Sequence, residues 1–153
     1  MLRLYQNSSI NKQMINDLDY IGPLISVRTL QSLIAPRLVN LGFIELCQHI
    51  CRKARRKNLF DDTVQSIETT AMLSSLNCAV NLTDISDESC YRVIEIGLHE
   101  DIFSFLNTDL MDPSKVELSS TQSDFADDAM SVAYNVIQAS QLFVFSIERI
   151  TTW

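Results

Sequence analysis

The chain has 153 residues, 46% of them hydrophobic and 20% charged, with only three glycines and three prolines. That is enough for one domain with a sizeable core, and too few turn formers for an all-β sandwich. A formal charge of −7 works against general nucleic-acid binding, because phosphate backbones are held by clustered lysine and arginine. No stretch approaches the roughly 18 uninterrupted apolar residues of a membrane span, and the basic-then-apolar order of a signal peptide is absent. A soluble intracellular chain is expected, in the cytoplasm or alternatively the nucleus.

In chain order, Ile10, Met14, Ile15, Leu18 and Ile21 have the three- and four-residue spacing of a helix, which Gly22-Pro23 should end. Leu24, Ile25, Val27, Leu30, Leu33, Ile34, Leu38 and Leu41 form an apolar helical run that Pro36 should kink or restart. Gly42 marks its end, since glycine takes the left-handed position after a helix without steric cost. A second helix follows through Ile44, Leu46, Cys47, Ile50, Cys51 and Ala54, with the basic run Arg52 to Lys57 at its C-terminus, where cations complement the helix dipole. Asp61 and Asp62 offer an N-cap for a long helix through Val64, Ile67, Ala71, Leu73, Leu76, Ala79, Val80 and Leu82.

Ser86-Asp87-Glu88 then caps a short helix through Cys90, Val93, Ile94 and Ile96 to Gly97. Leu98 to Leu110 predicts another helix, with Ile102, Phe103, Phe105 and Leu106 on its apolar face. Met111 to Ser123 reads as a loop. Ser123 or Asp124 can cap a last helix through Phe125, Ala129, Val132, Ala133, Val136 and Ile137. The apolar run Leu142-Phe143-Val144-Phe145 is an unusual ending for a stack of helices, and it leads to the expectation that the chain is part of a longer one.

The order of elements repeats. Leu38-Val39-Asn40-Leu41-Gly42-Phe43-Ile44 leads into a long amphipathic stretch ending in Cys78-Ala79-Val80-Asn81-Leu82, and Arg92-Val93-Ile94-Glu95-Ile96-Gly97-Leu98 leads into one ending in Val132-Ala133-Tyr134-Asn135-Val136. Such a period marks stacked helical units with one continuous core. The units divide the chain into a partial unit at 1–29, repeats at 30–85 and 86–140, and the start of a further unit at 141–153.

Short helix, glycine, second helix, loop and a long third helix ending in Asn resembles the plan of the armadillo repeat, over about residues 30–140. The resemblance implies an all-α, right-handed α-solenoid of about two to three armadillo-like repeats. The period of about 54 residues exceeds the roughly 40 to 47 of armadillo or HEAT units, and the excess fits lengthened loops at Lys57 to Asp62 and Met111 to Ser123. In peptide-binding members of that family the third helices line a concave face, where asparagines resembling Asn81 and Asn135 clamp the backbone of an extended peptide. Nuclear-import receptors add a tryptophan one turn earlier; Asn77 and Ser131 stand there instead, so binding of basic nuclear-localisation peptides is not implied. An amide offers both donor and acceptor to a peptide backbone, but the same groups can equally cross-link neighbouring helices.

Catalytic signatures are absent: there is no Gly-rich phosphate loop, Gly-x-Ser-x-Gly elbow or His-Glu-x-x-His motif. Cys47-x-His49-x-Cys51 places two thiols one turn apart, but His49 projects from another face, and Cys47, Cys51, Cys78 and Cys90 read as buried free thiols. His99 reads as a helix-start residue beside Glu100 and Asp101. No metal, cofactor or catalytic residue is assigned, and the chain is not read as an enzyme. Arg52, Lys53, Arg55, Arg56 and Lys57 form a basic patch that can hold an acidic peptide, phosphate or RNA, or simply solvate a helix end. Asp84, Asp87, Glu88, Glu95, Glu100 and Asp101 can pair with a basic partner or stabilise helix N-termini.

The function expected is a noncatalytic protein-protein interaction scaffold, whose partner is another protein or peptide, or further helical repeats of its own chain. The alternative is a regulatory or oligomerising domain of a larger signalling enzyme whose catalytic part lies elsewhere. A small helical enzyme using His49 or His99 is the third reading.

Overall fold

The computed structural model describes residues 9–54, 66–105 and 120–151. Among them are seven α-helices and no strand: α1 (Lys12–Ser26), α2 (Arg28–Asn40), α3 (Phe43–Ala54), α4 (Ile67–Ile85), α5 (Asp87–Glu95), α6 (Leu98–Phe105) and α7 (Ser120–Thr151). None of the described helices is long and apolar enough to cross a membrane.

The start of α1 is fixed by Asn11, whose side chain accepts the Met14 N–H at 2.9 Å. Gly22 and Pro23 do not end this helix, which continues to Ser26 and breaks at the extended Val27. Leu24 and Ile25 therefore belong to α1. The reason lies in packing: Met14, Leu18, Gly22 and Ile25 form one buried stripe, and its burial against α4 outweighs the single backbone bond that Pro23 cannot make. Gly22 is buried within the helix, where an added Cβ would meet Cys78 Sγ at 3.6 Å and Asn77 Oδ1 at 3.7 Å, both ordinary van der Waals contacts. Pro36 likewise lies inside α2 and does not divide it.

The two glycine turns are built alike. After α2, Leu41 N–H donates to Arg37 O and Gly42 N–H to Val39 O; after α5, Ile96 N–H donates to Arg92 O and Gly97 N–H to Ile94 O. Gly42 has φ 82° and Gly97 φ 75°, the left-handed region in which a side chain is strained. The same backbone device thus turns α2 into α3 and α5 into α6.

Ser66 caps α4, its Oγ accepting the Thr69 N–H at 3.1 Å. The cap is therefore not Asp61 or Asp62, which lie outside the described residues and too far before the first helical turn. Ser86 caps α5 as expected, accepting the Ser89 N–H at 3.3 Å. The last helix begins earlier than its sequence suggested. Ser120 to Ser123 are helical, so Ser123 and Asp124 lie inside α7 and do not cap it. Buried Gln122 and Phe125 tie this polar turn to the core, which the absence of an apolar period concealed. Residues 111–119 of the expected loop and 106–110 of the expected helix lie outside the described residues. No helix break marks the expected unit boundary at 141, because α7 runs unbroken to Thr151.

In the packing, α4 is central, with α1 against one side, α7 against another and α3 beneath it. Its Ala71, Met72, Leu76, Ala79 and Leu82 are fully buried, and each large apolar side chain of this kind contributes about 1.5–3 kcal/mol of burial. Among the other contacts, helices of the same rank meet, α2 with α5 and α3 with α6, as α4 does with α7, while α5 also packs on α7 and α1 on α2. Polar ties reinforce them. Buried Gln48 on α3 donates to Ile96 O at 2.5 Å and to Asp101 Oδ2 at 2.9 Å, while Arg92 on α5 bonds Glu45 on α3 and Glu95 on its own helix.

Candidate functional site

The residues singled out on the long helices fall in two groups. Asn77 and Asn81 share a face of α4, the Asn81 amide donating to Asn77 Oδ1 at 3.3 Å. Ser131 and Asn135 lie on α7, but they are turned to different work. Ser131 donates to the Asp127 carbonyl of its own helix at 2.9 Å. Asn135 donates to Thr83 Oγ1 at 3.1 Å and Val80 O at 3.4 Å, so it links α7 to α4.

Asn77 alone of these four lines a cavity, of about 530 Å³, where α1, α4 and α7 come together. Leu18, Asp19, Gly22 and Pro23 come from α1, Leu73, Ser74, Asn77 and Cys78 from α4, and Asp124, Asp127 and Asp128 from α7. The stripe that buries Leu18 and Gly22 brings Asp19 and Pro23 to the rim, and Asp19 accepts a hydrogen bond from Ser74 Oγ at 2.7 Å. Pro23 adds an acceptor, because it has no N–H to give the carbonyl of Asp19 one turn earlier. The floor is closed by Cys78, whose thiol donates to Leu18 O at 3.4 Å.

The charge of this site has one sign. Four aspartates line it without a lysine or arginine among the described residues. Burial, and then the negative charges of Asp124 and Asp127, push the Asp128 carboxyl up to about 6. Bringing a cation into the cavity relieves that repulsion. Asp124, Asp127 and Asp128 are spaced three and four residues apart, which puts them on one helical face, and this spacing was the available signal for them. Asp19 had none, since only the packing of α1 on α4 brings it to α7.

The thiols are set for packing and not for chemistry. All four cysteines are buried and unbridged. Burial pushes Cys51 and Cys78 up to about 12 and Cys90 up to about 11, and holds Cys47 well above the usual thiol value. A thiol kept protonated is a poor nucleophile and a poor metal ligand. Cys47 donates to Ser75 O at 3.4 Å and Cys90 to Thr83 O at 3.3 Å, each tying two elements. Among the described residues no three His, Cys, Asp or Glu side chains are grouped to hold a metal. His99 lies in the first turn of α6, its Nδ1 3.4 Å from Val93 O.

Of the basic run, Arg52 and Lys53 occupy the last turn of α3, and Arg55, Arg56 and Lys57 lie outside the described residues. Arg52 Nε bonds Asp101 Oδ2 at 2.8 Å. The acidic residues expected near the second unit divide between helix starts and ion pairs: Asp87 and Glu88 begin α5, Glu100 and Asp101 begin α6, and Glu95 pairs with Arg92 at 2.6 Å. A second cavity of about 520 Å³, lined by Glu45, Glu88, Tyr91, Arg92 and Glu95 with the Asn40 to Gly42 turn, already has its Arg92 engaged by carboxylates.

The chain matches no protein-family model, and no curated protein or solved structure is significantly similar to it.

Proposed function

We propose that this chain is a noncatalytic helical-repeat scaffold, armadillo-like in plan, that holds a basic, extended segment of a protein partner in the cavity between α1, α4 and α7. The observation that carries the reading is that cavity's lining: four aspartates and the amide of Asn77 across three long helices. A lysine or arginine entering it would meet carboxylates on both walls, while Asn77 can donate to and accept from the backbone. No tryptophan stands among the described residues of this face, so recognition would rest on charge and amide contacts and differ from the tryptophan-walled binding of import receptors. The like-with-like pairing of α2 with α5, α3 with α6 and α4 with α7 supports a solenoid in which these helices recur, and α1 then occupies the third-helix place of a preceding unit.

The test is calorimetric titration of the full chain with an oligolysine peptide and with an oligoglutamate control. Salt-sensitive binding of oligolysine, weakened at least tenfold by Asp127→Asn with Asp128→Asn, supports the proposal. Equal binding of both peptides, no binding, or binding indifferent to the double substitution rejects it. The same titration repeated below pH 6 should show weaker binding, because Asp128 then carries a proton.

A further inference from the structure

We draw no further inference here: the strongest candidate, the exposed apolar patch of Ile94 on α5 with Met130, Tyr134 and Ile137 on α7, carries nothing because nothing in the structure shows what covers it.

Discussion

Two regions of this molecule use the same backbone plan in different surroundings. Helices α2 to α4 and α5 to α7 share a glycine turn with the same pair of hydrogen bonds and a left-handed φ, and their inner positions are buried alike. They differ where one faces a neighbour and the other faces solvent. Leu76 is fully buried between helices while Met130 at the corresponding place is 61% exposed. A repeated sequence pattern therefore specifies the turn and the inner face, but the burial of the outer stripe depends on what is stacked upon it.

The comparison can be broken most forcefully at that pair. Leu76→Ala should cost about 2–5 kcal/mol, as expected for a large side chain removed from a packed site, and Met130→Ala should change the stability of the monomer by less than about 0.5 kcal/mol. Urea denaturation at low protein concentration measures both; equal costs would remove the distinction between the two faces.

The glycine turns sharpen the other half of the comparison. Gly42→Val and Gly97→Val should each destabilise by about 1–3 kcal/mol, because a β-branched residue is strained at positive φ. The nearest atom to a Cβ at Gly97 is Glu100 Oε2 at 3.7 Å, so conformation and not crowding is the cause. Thermal denaturation of both variants should give similar losses, and a harmless substitution at one turn would show that the two are not equivalent.

A smaller difference separates the paired asparagines. Asn135→Ala removes the bonds to Val80 O and Thr83 and should cost about 1 kcal/mol. Asn81→Ala should cost less, as its amide reaches only the exposed Asn77. Denaturation midpoints that reverse this order would contradict the role of Asn135 as the link between α4 and α7.

The smallest expected effect is electrostatic. Asp128 is held at about 6, above its ordinary 3.8, by burial and by Asp124 and Asp127. A raised folded-state value means the folded chain binds this proton more tightly than the unfolded chain, so the penalty is present above about pH 6 and fades as pH falls toward 4. Asp128→Asn should raise the thermal midpoint at pH 7 by about 2 °C, and the gain should vanish near pH 4. A gain that persists at pH 4 would assign it to something other than charge.

These contrasts also show which features a reader of the sequence could see. Gly42 and Gly97 were legible because a helix end that needs positive φ calls for glycine, and Ser86 because a hydroxyl followed by acidic residues caps a helix locally. Gly22 and Pro23 misled, since their usual effect on a chain was overridden by burial of Leu18 and Ile25 on α4. The acidic cavity was only half visible. Asp124, Asp127 and Asp128 share a helical face, but Asp19 joins them through a tertiary contact that no local pattern encodes. Asn135 was recognisable as a paired residue, whereas its partners on α4 follow from how the helices stack.

The central claim is that α4 packs between α1 on one side and α7 on the other. Nuclear Overhauser spectroscopy tests it most directly. The account predicts cross-peaks from the Asn135 side-chain amide to Thr83 and from Cys78 to Leu18, at contacts of 3.1 and 3.4 Å. Their absence from an otherwise assigned, helical spectrum would contradict it.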